Sequence, residues 1–165
     1  MKYTRSTLLA SSLLLLAVTG CSATGTATSA AVPEVRQITQ SAHCGLTGPG
    51  VAYIHSQESL ESLLGVAGQN MSTGVIRQVD LQSEQLVIVT LGQKPTAGYS
   101  VGLADVAQDG STLKLNMRVS QPAPDMMVAQ VITSPCVVLA VASGDWQRVE
   151  VTGVTEKPLV KRTGK

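Results

Sequence analysis

A chain of 165 residues with 44% apolar and 14% charged side chains has the length of one ordinary domain and the composition of a folded protein, which argues against a multidomain enzyme. Its formal net charge of +1, with three Tyr, one Trp and no Phe, supplies neither a basic field nor stacking platforms. Nucleic acid is therefore excluded as an expected partner.

The chain opens with Lys2 and Arg5 ahead of an apolar stretch at 8–18, interrupted only by Ser11 and Ser12. That stretch is too short for a bilayer, which takes about 20 apolar residues. It runs into Val18-Thr19-Gly20-Cys21, which resembles the lipobox of bacterial lipoproteins. The resemblance implies a signal peptide at 1–20 and a Cys21 that receives diacylglycerol and becomes the new N-terminus. An ordinary cleaved secretory signal would export the chain as well. With an N-acyl chain such as palmitate added, the lipid exceeds the two hydrophobic signals that stable anchoring needs. Ser22 follows the cysteine where Asp would favour inner-membrane retention, so the implied address is the bacterial cell envelope. The expected site there is the outer membrane, with the chain facing the periplasm or the cell surface.

Loss of residues 1–20 leaves ten basic against eleven acidic residues, a formal charge of −1. Residues 22–33 are Ser, Ala, Thr and Gly with one Val and one Pro, too poor in apolar surface to order themselves. With Cys21 they form an expected tether, 21–33, of roughly 20 Å root-mean-square reach. A β domain is expected over 34–155, and 156–165, with Lys157, Lys161, Arg162 and Lys165 around Pro158, reads as a basic flexible tail.

Within the domain, Ser56 can cap a short helix in which Glu58 and Glu61 favour the positive end. Leu60, Leu63 and Leu64 share one of its faces and Gly65 can stop it. Residues 86–91 and 136–142 are nearly continuous apolar runs rich in Val, the pattern of strands covered on both faces. Residues 113–120 alternate strictly between apolar and polar, with Asp109-Gly110 as a hairpin signal before them. The preceding strand carries Tyr99, Val101 and Leu103 on one parity and Val106 on the other, which a bulge near Ala104 or Asp105 would reconcile. Ser143-Gly144-Asp145 turns the chain into a last alternating strand at 148–152. The expected class is mainly β (α+β): a β-sandwich or partly closed barrel with one short packed helix.

Two cysteines besides Cys21 remain, Cys44 and Cys136, an even number in an oxidising compartment, and a disulfide is the simplest inference. The alternative is a reactive thiol or ligand in the pair His43-Cys44, but neighbours in an extended segment point to opposite sides. No CxxC or HxxxH completes a zinc site, and no acidic cluster suggests calcium. Gly45-Leu46-Thr47-Gly48-Pro49-Gly50 lacks the lysine of a phosphate-binding loop and reads as a turn. Neither a metal nor a cofactor is expected.

Gly98-Tyr99-Ser100-Val101-Gly102 matches the GxSxG spacing of a nucleophile elbow, which would make Ser100 the nucleophile of a small hydrolase. That elbow requires a sharp strand-to-helix turn, whereas the residues after Ser100 keep a strand pattern. The histidines, His43 and His55, both lie upstream of it.

The pieces Val79-Asp80-Leu81, the run from Leu86 through Gly92-Gln93-Lys94-Pro95-Thr96-Ala97-Gly98-Tyr99 to Val101, Gln121-Pro122-Ala123-Pro124 and Thr133-Ser134-Pro135-Cys136 resemble the PrcB C-terminal family. The G-x-x-P-T-x-G-Y core is the most specific part of that resemblance. The family takes its name from a lipoprotein subunit of a spirochaete surface protease complex. The resemblance therefore implies a non-enzymatic accessory or regulatory protein, bound to the membrane by its lipid and to a protein partner such as a protease. Pro-Thr-x-Gly-Tyr is also similar to the inhibitory loop of chagasin-type cysteine protease inhibitors, which would make the protein a direct inhibitor. In either case Lys94, Pro95, Thr96, Ala97, Gly98 and Tyr99 form the expected protein-binding loop. Physically, Pro95 fixes one φ, Gly92 and Gly98 permit sharp backbone, and Tyr99 sets an aromatic beside the turn. The same residues would equally make a tight structural turn.

Overall fold

The computed structural model describes residues 32–164. The expected signal peptide, Cys21 and nearly all of the tether lie outside them. The described chain forms eight strands and two helices: β1 (Val35–Ser41), β2 (Pro49–Ile54), α1 (Gln57–Leu64), α2 (Thr73–Arg77), β3 (Glu84–Leu91), β4 (Ser100–Asp109), β5 (Thr112–Ser120), β6 (Cys136–Ala142), β7 (Arg148–Thr152) and β8 (Leu159–Arg162). Two four-stranded sheets, ordered β1-β6-β3-β2 and β4-β5-β7-β8, make a sandwich.

The two Val-rich runs are the central pair of the first sheet, and both of their faces are buried. Val87, Val89, Leu91, Val137, Leu139 and Val141 enter the core between the sheets, while Leu86, Ile88, Val138 and Ala140 face the helices. Period-2 geometry thus splits one apolar run between two cores. On the outer face α1 contributes Leu60, Leu63 and Leu64, and α2 contributes Ile76. A capping box between Ser56 and Ser59 starts α1, and Gly65 ends it in right-handed conformation at φ −81°. Only one helix was expected; α2 is a single extra turn whose five residues hold too little periodicity to announce it.

In the second sheet the expected hairpin closes at Gly110, with Asp109 opposite Thr112, and the register shifts between Leu103 and Asp105. That bulge brings Leu103 and Val106 to the same core despite their opposite parity. After β6 the chain changes sheet, so β7 lies parallel to β5. Trp146, 2% exposed, plugs the core at this crossing. Its ring lies against Gly144, where a Cβ would come within 2.0 Å of Cζ3.

The basic tail expected at 156–165 is corrected by the structure: Leu159–Arg162 forms β8, paired with β7. Thr163 is buried, and its hydroxyl donates to the carbonyl of Trp146 at 3.0 Å. The Lys and Arg side chains look out while the backbone fills the sheet edge, an arrangement that charge counting misses.

Most strand ends fall at one of two poles. Val35, Glu84, the β4–β5 turn and the start of β7 share one; Ser41, Leu91, Ser100, Ser120 and Cys136 share the other. The chain therefore enters at the first pole, and residues 92–99 and 121–135 meet at the second.

Candidate protein-binding pole

The second pole is built around Thr133-Ser134-Pro135-Cys136. Cys136 is bonded to Cys44, with Cα atoms 6.0 Å apart, so the expected disulfide is present and ties the segment after β1 to the start of β6. The Ser134 hydroxyl accepts the backbone N–H groups of Cys44 and Gly45, both at 3.0 Å. Gly45 sits at φ +70°, with the Ala67 carbonyl 2.5 Å from where a Cβ would be, so this turn needs glycine. The Pro135 carbonyl accepts from Leu91 N–H at 2.9 Å. Ser134 and Cys136 thus join the segment after β1, and Pro135 joins the end of β3.

Residues 92–99 are fastened to the same knot. Gly92 has φ +67°, and a Cβ on it would lie 2.7 Å from the carbonyl carbon of Gly48 and from Pro49 N. Gln93 N–H donates to the Thr47 carbonyl at 3.0 Å. Lys94 exchanges backbone hydrogen bonds with Thr133 at 2.8 and 3.0 Å, and the Thr133 hydroxyl donates to the Thr96 carbonyl at 2.9 Å. Ala97 N–H donates to the Ala129 carbonyl at 3.0 Å. Gly98, at φ +92°, fits between Pro122 and Val128, whose side-chain atoms would stand 3.2 and 3.4 Å from a Cβ.

Of the expected binding loop, only Pro95 and Gly98 are exposed; Lys94, Thr96, Ala97 and Tyr99 are half-buried. The Lys94 ammonium lies 5.7 Å from the Tyr99 ring centroid, within cation–π range. The loop is stiff because its backbone is spent on bracing residues 121–135. An inhibitory loop that enters a cleft must stand clear of its own domain, and this one is pinned along its length.

Apolar exposure at this pole belongs to the braced segment instead. Met126, Met127, Val131 and Ile132 are 57%, 99%, 49% and 66% exposed. Sequence reasoning passed over them because apolar residues in a proline-flanked stretch look like part of the core. The available signal was their position: 15 residues between two strands, a length at which a structureless connection is usually functional.

Ser100 opens the ten-residue strand β4, opposite Ser120. A nucleophile elbow would instead turn into a helix. His55 follows β2 at the other pole and stacks on Tyr53, with ring centroids 5.9 Å apart. His43 is exposed beside Ser134. Neither histidine is hydrogen-bonded to Ser100 among the described residues. Among the same residues no three of His, Cys, Asp and Glu gather as metal ligands. Tyr53 lies in the core, and burial pushes its phenol above the ordinary value. Its hydroxyl donates to Gln85 Oε1 at 2.9 Å, a structural bond.

The strings that build this pole are those that carried the family resemblance. Residues 86–142 match the PrcB C-terminal family. The match begins in β3 and ends in β6, so it includes both loops of the braced pole, 92–99 and 121–135, but not residues 44–49 that pack against them. The PrcB-like segment thus supplies the central strands, the hairpin and both distal loops, while β1, β2, the helices, β7 and β8 complete the sandwich around it. No curated protein and no solved structure matched the chain.

Proposed function

We propose that the protein is a non-enzymatic lipoprotein of the bacterial envelope, held at the outer membrane through Cys21, whose β domain binds another protein at its distal pole. In this reading the partner is a secreted or surface protease that the protein assists or restrains, a role suggested by the match to the PrcB C-terminal family. One observation carries the proposal: the stiff loop pair lies at the end of the domain opposite the entry of the tether. Val35 pairs with Val141 and Ser41 with Cys136, so β1 separates the two by about 20 Å. A lipid on Cys21 would hold the first pole toward the membrane and present the second to the surrounding compartment.

The test is cross-linking and recovery of the full-length lipidated protein from intact envelopes, comparing wild type, Cys21→Ser and Lys94→Ala/Thr96→Ala. Cys21→Ser should lose labelling by a palmitate analogue and leave the membrane fraction. The double variant should lose its partner with little change in melting temperature, since both side chains are half-buried and neither belongs to the core clusters. Full partner recovery by the double variant, equal lipid labelling of Cys21→Ser, or a hydrolase activity lost in Ser100→Ala would each overturn this reading.

A further inference from the structure

Residues 121–135 follow a defined path. Met126 N–H donates to the Ala123 carbonyl at 3.0 Å, closing a turn, and the chain then runs extended back to Thr133. The inner edge of this return limb is bonded to residues 94–97 through Ala129 and Thr133. Backbone groups of an extended limb alternate between its edges, so with Thr133 bonded inward the outer edge carries the N–H groups of Gln130 and Ile132, which donate to no acceptor among the described residues. The four exposed apolar side chains, Met126, Met127, Val131 and Ile132, flank this edge. Single exposed apolar residues are ordinary, but four within seven positions beside an open backbone edge are a local concentration of apolar surface.

We propose that residues 126–132 are a strand-addition site that takes an extended, apolar segment of a partner protein. The proposal rests on the protein-binding reading above and names the chemistry of its contact. Backbone hydrogen bonds to the open edge would supply affinity, and apolar side chains of the partner would seat beside Met127 and Val131 on one face and Ile132 on the other. Asp125 is the one ionisable residue in 121–135, so charge pairing has little part in recognition. The patch lies at the pole opposite the tether, which directs it to a protein in the compartment rather than to the anchoring bilayer. Bracing by Lys94, Ala97 and Gly98 fixes the limb before the partner arrives, and so lowers the ordering cost of binding.

The test begins with a displayed heptapeptide library selected on the full-length lipidated protein in nanodiscs. Enriched peptides should carry apolar residues at alternate positions and slow amide exchange at Gln130 and Ile132. Their affinity should fall by about ten-fold or more on Met127→Asp or Ile132→Asp, and equally on N-methylation of a peptide amide that faces the edge. Both side chains are exposed, so melting temperatures should hold. The proposal is overturned by an absence of enrichment, by peptides indifferent to both substitutions, or by affinity that survives N-methylation at every position. Protection of 126–132 by anionic phospholipid vesicles alone, or by self-association, would overturn it too. Native-envelope partner recovery that survives Ile132→Asp but is lost in Lys94→Ala/Thr96→Ala would remove this site while leaving the proposed function standing.

Discussion

Gly144→Ala tests how the core is closed where the chain changes sheet. A Cβ at this position would lie 2.0, 2.5 and 2.6 Å from Cζ3, Cε3 and Cη2 of Trp146, so the methyl group meets the ring rather than a flexible tip. Restoring ordinary carbon contact requires the indole to retreat by about 1.5 Å. It has little room, because Tyr53, Val141, Val149 and Val151 share its cluster. Overpacking of this kind costs about 1–3 kcal/mol, and complete expulsion of the ring would approach the roughly 3–5 kcal/mol of a Trp→Ala change. We expect about 2–4 kcal/mol, between these limits. Trp146 is the single tryptophan of the chain, so its fluorescence reports the event directly: urea unfolding should have an earlier midpoint, and native emission should move to the red. In a Trp146→Ala background, followed by circular dichroism, the same glycine substitution should be nearly neutral because the clash is gone. An unchanged midpoint and emission, or an equal loss in both backgrounds, would refute the packing argument.

The Cys44–Cys136 bridge spans 92 positions, for which loop-closure entropy gives about 4.6 kcal/mol, with residual structure in the unfolded chain lowering the observed value. Cys44→Ala/Cys136→Ala should therefore lose about 3–4 kcal/mol in urea unfolding; undiminished stability, or two free thiols alkylated in the oxidised denatured protein, would contradict it. Gly92→Ala forces a left-handed residue against the backbone of Gly48 and Pro49 and should cost about 2–4 kcal/mol. Gly48→Ala, with nothing within 4 Å, should shift the midpoint little, and similar effects of the two substitutions would sink the distinction. Arg77 beside Glu61 holds the Glu61 carboxyl below its ordinary range, chiefly through their side-chain hydrogen bond. A pKa lowered on folding adds stability above the unfolded value, and that contribution is lost as pH falls through the folded one. An NMR titration should show Glu61 moving upward in Arg77→Gln; no movement would dissociate the pair.

The alternation at 113–120, the two Val-rich runs, the parity conflict around Val106 and the Ser56 cap were all legible in the sequence, and each became the element it implied. They were legible because a strand's period and a helix's cap are local, set by neighbours a few residues apart. The disulfide could be inferred from cysteine parity because its alternatives lacked partners. What the chain could not disclose locally was decided by pairing across distance. The basic segment after Glu156 is a strand because β7 offers it an edge, and Trp146 is core because the chain leaves one sheet for the other at Gly144. The distal pole shows the same division. Its motif was conspicuous in the sequence, but the inward use of the backbone at 94–97 depends on Thr133 and Ala129, more than thirty residues away, and the same pairing leaves Met127 and Ile132 turned outward. Local sequence fixes what a segment is able to form; which of its edges and faces stay open is settled only when distant segments take the others.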